Sequence, residues 1–231
     1  MNEWFIFGLV FVVAYLLGSV PTAYLAGRWF GGVDLREVGT GNVGSSNVLH
    51  IVSKWVALPV LLFDVGKGAL AVLIANLLGL GIGMQAATGV AAVIGHNWPI
   101  FLGFKGGRGI ATSLGVVLAL APLVGVIILV LSYLFAPFRQ HGLGVCIAVS
   151  LLPFVGWFLA KPLGIEERGP LTLGFAAITI VAFARRLIHR RSELSRTTPT
   201  IELIFNRFLF DRDIRDRALW LRRDQADKPR A

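Results

Sequence analysis

Six long apolar runs, at roughly 4–27, 55–79, 83–102, 110–137, 142–160 and 170–188, leave this chain little choice of fold. Crossing a bilayer takes about 20 predominantly apolar residues, or about 17 in a short or tilted helix. Backbone N–H and C=O groups inside lipid must be satisfied within the segment, so such runs fold as helices. Composition agrees. Hydrophobic residues make up 55% and charged residues 15%, where a soluble domain carries about a quarter charged. The 231 residues suit one membrane bundle with no separate soluble domain.

Charge sets the orientation. Arg28, Arg36, Lys54, Lys105, Arg108 and Arg139 mark loops, and Arg185, Arg186, Arg190 and Arg191 mark the end of the last run. All of these favour the cytoplasm. Six spans would put both termini on one side. The run 110–137 is too long for one comfortable span, and Pro122 divides it. Reading 110–121 as a short outgoing helix and 122–137 as its return gives seven helices, with the N-terminus outside and the C-terminus cytoplasmic. The two short helices must tilt or pack inside the bundle. Loop 161–169 then lies outside, with Lys161 and Arg168 balancing Glu166 and Glu167. Gly79, Gly81 and Gly83 are expected to form a tight outer turn. The first run has no basic flank and no small-residue cleavage site, so it reads as a retained helix.

The formal net charge is +9, and from Arg185 onward thirteen Lys and Arg face seven Asp and Glu. Beside lipid this pattern fits an anionic headgroup surface, not nucleic acid. A membrane domain at 1–196 is thus followed by a basic, partly amphipathic tail at 197–231. In that tail Ile201, Ile204, Phe205, Phe208 and Leu209 recur at helical spacing, as in a helix lying on headgroups. The tail is also the surface on which a protein partner would bind, and from about Asp224 it is expected to be disordered. The single cysteine, Cys146, excludes an internal disulfide and a multi-cysteine metal site.

Three polar clusters fall on the cytoplasmic side. Lys105 to Ser113 places two cations, three glycines and two hydroxyls in nine residues. Glycines let backbone N–H groups close around an anion, and Arg108 can hold a phosphate bidentately. Thr112 and Ser113 open the next apolar run, so a helix N-terminus points at the same spot. This reads as a phosphate cradle, although its spacing is not that of a P-loop. The second cluster runs from Gly39 through Thr40, Gly41, Asn42, Gly44, Ser45, Ser46 and Asn47 to His50. Its Asn and Ser side chains can both donate and accept hydrogen bonds to a ligand; caps and turns would use them too. The third is the tail, with Glu193, Arg196 and Glu202. Asp64 and Lys67, three apart in an apolar run, share a helix face and can form an ion pair that supports the site, or can contact the ligand directly.

The motifs Gly18-Ser19-Val20-Pro21, Gly41-Asn42-x-Gly44-x-x-Asn47, Asp64-x-x-Lys67-Gly68 and Gly95-His96-x-x-Pro99-x-Phe101-Leu102-x-Phe104-Lys105-Gly106-Gly107-x-Gly109-x-Ala111-Thr112 occur in this order. Together they resemble the bacterial acyl-phosphate:glycerol-3-phosphate acyltransferases over about residues 15–190. The resemblance implies a seven-helix enzyme of the bacterial inner membrane with its site at the cytoplasmic face. It implies acyl transfer from acyl phosphate to the 1-hydroxyl of glycerol 3-phosphate, giving lysophosphatidic acid and phosphate with no cofactor or metal. The chain departs from the family pattern in Thr40 for Ser, His50 for Arg and Arg108 for Lys. A family Asn aligns near Ser192–Glu193, and a family Glu at Glu202.

On this reading Lys105, Arg108, His96 and Thr40 are the candidate catalytic residues. Lys105, Arg108 and the amides of Gly106, Gly107 and Gly109 would hold the donor phosphate, with Thr112 and Ser113 beside them. Gly41, Asn42, Gly44, Ser45, Ser46, Asn47 and His50 would orient the acceptor, with Lys67 and Glu202 in support. His96 braces the loop or serves as base. The acyl chain would lie in a groove open to lipid. His50 acts as a cation only when protonated, so affinity for glycerol 3-phosphate is expected to weaken from about pH 6 to 8. No Ser-His-Asp arrangement stands out in these clusters, and no H-x-x-x-x-D motif occurs. Readings of other classes are a lapsed paralogue that binds phospholipid or a protein partner, and a small transporter. Polar residues gathered at one face speak against transport.

Overall fold

The computed structural model describes residues 2–188 and 195–221, and these form helices and no strand. Helix α1 spans Glu3–Ser19 and is opened by Asn2, whose side chain accepts from the Trp4 amide at 3.1 Å. It stops at Val20-Pro21, and α2 follows at Thr22–Gly31. Proline lacks an N–H and collides with the preceding turn, so the first apolar run is two helices where one was expected. Helix α3 covers Ser45–Ile51, α4 Lys54–Leu77 and α5 Ile82–Asn97. Helix α6 runs over Ile110–Leu120 and α7 over Pro122–Tyr133, so the long fourth run does divide at Pro122. Helices α8 (His141–Ala160), α9 (Arg168–Leu187), α10 (Thr200–Phe210) and α11 (Arg217–Leu221) complete the chain.

The outer turn between α4 and α5 is smaller than expected. Gly79 takes φ 74 there and Gly81 caps α5, while Gly83 lies inside α5 against Pro170.

Four stretches are long and apolar enough to cross a membrane: Glu3–Gly31, Lys54–Leu77, His141–Leu163 and Arg168–Leu187. Helices α5, α6 and α7 are shorter, at 16, 11 and 12 residues. Helix α5 is central and packs on α1, α4, α6 and α9. Lipid offers no hydrophobic gain for helix pairing, so close contact depends on small residues. A Cβ on Gly95 would strike the Tyr15 carbonyl of α1, and one on Gly68 the Thr112 carbonyl of α6. Val72, Val93, Val116, Val124, Leu152 and Phe175 fill the interior, whereas Trp4, Leu62, Leu77, Leu173 and Ile180 face outward.

Helix α10 packs on α8 and α9. It buries Leu203, Asn206 and Arg207 and exposes Ile201, Ile204 and Phe205, with Phe208 and Leu209 half-buried. Ser192–Glu193 and the end of the tail lie outside the described residues.

Candidate active site

The break at Val20-Pro21 opens a cleft at one end of the bundle. Ser19, Val20, Pro21 and Thr22 line it from one side, Asp64 and Lys67 from α4, His96 from α5, Val43 from the loop before α3, and Gly106 and Gly107 from the cradle. The Asp64 carboxylate ties three helices together. Its Oδ1 lies 2.8 Å from Lys67 Nζ, accepts from the Thr22 hydroxyl at 3.0 Å, and stands 3.5 Å from His96 Nδ1. Lys67 also donates to the Val20 carbonyl at 3.4 Å, at the helix break. Asp64 and Lys67 are both sealed from solvent, and a buried charge of either sign needs such a partner. His96 therefore sits between the ion pair and the cradle.

The cradle is built by glycine. Its segment follows the short helical turn Ile100–Leu102, and Gly103, Phe104 and Gly109 take positive φ. Gly106 N–H donates to the Asn97 carbonyl at 3.3 Å and Gly107 N–H to the His96 carbonyl at 3.1 Å. These two amides thus cap the C-terminal end of α5. A Cβ on Gly107 would run into His96 Nε2 and the Val43 carbonyl, so only glycine lets the three segments meet. On the opposite edge Arg185, buried at the end of α9, donates to the Gly107 carbonyl at 2.9 Å and the Gly106 carbonyl at 2.6 Å. Gly109 caps α6 in the left-handed conformation, which leaves the first-turn amides of α6 directed at the cradle. Lys105 is exposed at its rim. Arg108 is half-buried and ion-pairs with Asp211 of the tail.

The remaining candidates are not among the residues that line this cleft. Asn47 is fully buried and works as an internal brace. Its Oδ1 accepts from the Thr40 amide at 3.0 Å, and its Nδ2 donates to the Leu35 and Val38 carbonyls at 3.1 and 3.0 Å. Both of its N–H donors are thereby spent on the loop. Gly41 bends the loop at φ 63, and Gly44 caps α3. Asn42 and Ser45 are half-exposed and Ser46 is exposed. The Thr40 hydroxyl is buried with no hydrogen-bond partner among the described residues. Thr112 and Ser113 hydroxyls are in the same condition on the first turn of α6, as is the Asn97 amide at the end of α5. His50 lies on the exposed side of α3 and is not among the residues lining the cleft. Partial withdrawal of the ring from water lowers its pKa, and the Arg217 charge lowers it further. Glu202 is exposed on α10.

Four contributors escaped the sequence reading: Thr22, Asn97, Arg185 and Asp211. Arg185 carried a visible signal, but its position at a helix end reads equally well as a topological charge. Asp211 pairs with a residue 103 positions away, and nothing local announces that.

A family model described as glycerol-3-phosphate acyltransferase matches residues 8–197. The chain belongs to that family. It is 43% identical over 221 residues to "Glycerol-3-phosphate acyltransferase 4" of Dehalococcoides mccartyi strain CBDB1, covering 96% of this chain and 95% of that one. A shorter stretch of 117 residues is 55% identical to a glycerol-3-phosphate acyltransferase of Synechococcus sp. strain CC9902, covering 51% and 58% of the two chains. Among solved structures, the glycerol 3-phosphate form of PlsY (YgiH), an integral membrane glycerol 3-phosphate acyltransferase, superposes with TM-score 0.69 at 32% identity. That match covers 84% of this chain and 99% of PlsY. The lysophosphatidic acid form gives TM-score 0.67 at 29% identity. As a family member the chain is an acyltransferase of multi-pass membrane architecture, with its tail carried beyond the region the family model matches.

Proposed function

We propose that this chain transfers an acyl group from acyl phosphate to the 1-hydroxyl of glycerol 3-phosphate. The observation that carries the reading is the cleft where the Asp64–Lys67–His96 cluster meets the Gly106–Arg108 turn, in a chain related to enzymes named for glycerol 3-phosphate. Lys105 and Arg108 bring positive charge to the donor phosphate, with the first-turn amides of α6. The acceptor hydroxyl oxygen attacks the acyl carbonyl carbon, the C–O bond to phosphate breaks, and the leaving phosphate takes the hydroxyl proton. Acyl phosphate is already activated, so holding two anions together and stabilising the oxyanion is the main demand. Lys67 offsets the charge gathered there through the Val20 break. His96 keeps the cradle against α5, and the loop at 40–47 borders the acceptor.

Seven spans fit the helix list: α1, α4, α5 and the four from α6 to α9. The N-terminus would lie outside and the cradle at the cytoplasmic face of a bacterial inner membrane. The exposed Ile201, Ile204 and Phe205 of α10 suit a helix resting on the lipid surface, beside a tail rich in cations. That lipid contact accounts for the tail's exposed apolar face without a protein partner.

The test is direct. Purified protein in detergent receives acyl phosphate and radiolabelled glycerol 3-phosphate, and labelled lysophosphatidic acid is counted. Product that requires both substrates supports the reading. Binding of phospholipid with no transfer under any condition replaces it with a lapsed paralogue.

A further inference from the structure

Asp211 joins the tail to the cradle. It ends α10 in the left-handed region, at φ 60 and ψ 39, a conformation that Asp and Asn tolerate better than most residues. The turn sends its carboxylate into the bundle. One carboxylate oxygen ion-pairs with Arg108, and the other lies 3.8 Å from Nε of Arg186. The Asp211 main-chain carbonyl also accepts from Arg108 Nη1 at 3.1 Å. Arg186, buried at the end of α9, donates to the Phe208 carbonyl at 2.8 Å and so holds α10 itself. Arg207 adds a second tie, donating to the Leu187 carbonyl at 2.9 Å. The acid that meets Arg108 is therefore mounted on a helix anchored at two points to α9. It also comes from beyond residue 197, where the match to the family model ends.

We infer that Asp211 is a positioning residue for acyl transfer: it holds the Arg108 guanidinium where the donor phosphate is bound. The inference rests on the proposed placement of that phosphate at Arg108. Both contacts from Asp211 fall on a single nitrogen, Nη1, whereas an acid competing with phosphate would engage the guanidinium fork with both oxygens. One carboxylate reaches two arginines, so Asp211 also fixes Arg108 relative to the end of α9. An unanchored arginine loses much rotamer freedom when it binds, and a fixed carboxylate removes most of that loss beforehand.

Steady-state kinetics on the full chain test this. Asp211→Asn keeps the size and the left-handed turn and removes only the charge; Asp211→Gly keeps the turn and removes the side chain. Both are expected to raise KM for acyl phosphate about tenfold, with KM for glycerol 3-phosphate unchanged. Asp211→Glu should recover part of the loss. In an Arg108→Ala background, Asp211→Asn should add nothing. An unchanged KM for acyl phosphate overturns the inference, and so does a lowered one, which would make Asp211 a blocking acid. A lowered melting temperature with KM unaltered overturns it in favour of a purely structural contact. Wild-type turnover by Arg108→Ala alone would instead remove the phosphate placement on which the inference rests.

Discussion

Lys67 and Asp64 lie one turn apart on α4 and form a 2.8 Å ion pair inside an apolar helix, both side chains sealed from solvent. Removing one member leaves the other as an uncompensated buried charge, at a cost of about 3–5 kcal/mol. Asp64→Asn should therefore lower the melting temperature in detergent markedly. The double variant Asp64→Asn with Lys67→Met should recover most of that stability and no activity. Recovery of turnover in the double variant would show that the pair serves packing alone.

Lys105→Ala and Arg108→Ala should each lose activity about ten- to a hundredfold, from the charge withdrawn at the donor phosphate. Lys105 is exposed, so its variant should keep the wild-type melting temperature. The measurement is kcat/KM for acyl phosphate. Undiminished rates in both variants would remove the cradle from the donor site.

Gly107→Ala should abolish most transfer. Its Cβ would lie 2.6 Å from the Val43 carbonyl and press on the His96 ring, where backbone and ring must move apart. Overpacking of this kind costs about 1–3 kcal/mol and would part the cradle from the cleft. An alanine variant with normal kcat and KM would mean that the three segments need not meet.

His50 gives a prediction with a definite sign. Burial and Arg217 hold its pKa below the ordinary value of about 6.5. The folded chain binds this proton less readily than the unfolded chain. The resulting stability is intact above about pH 6.5 and is lost as pH falls through that value towards the folded pKa. Melting temperature should thus fall less between pH 7 and 5.5 in His50→Gln than in the wild type. The same shift favours the neutral ring, so any rise of KM for glycerol 3-phosphate with pH should come at lower pH than for an ordinary histidine. A KM that climbs steadily to pH 8 in the wild type, and not in His50→Gln, would restore His50 as a phosphate-binding cation.

Orientation can be read with single added cysteines. Positions 138–141 should label from the cytoplasm and 164–168 from outside, with the buried Cys146 silent. Labelling of both loops from one side would reduce the count to six spans.

The split at Pro122 was legible because proline's missing N–H acts locally, and the run around it was too long for one helix. Pro21 carries the same chemistry, but the apolar run continues through it, so hydropathy hides the break that opens the cleft. Lys67 was legible because charge in an apolar helix is costly. Asn47 was read as a ligand group because an amide can serve substrate and backbone equally well, and only the fold reveals that its partners are Leu35, Val38 and Thr40. The Arg108–Asp211 contact depends on where α10 docks, which no local spacing encodes.

Helices α6 and α7, with 11 and 12 residues, are about 17 and 18 Å long against a hydrocarbon layer of about 30 Å. Helix α7 sets Leu123, Val126 and Val130 outward, whereas α6 has no exposed residue and lies among its neighbours. The first turn of α6 borders the cradle. The cradle thus hangs on a helix with no outer face of its own, and its position is inherited from α4, α5 and α7, which enclose that helix.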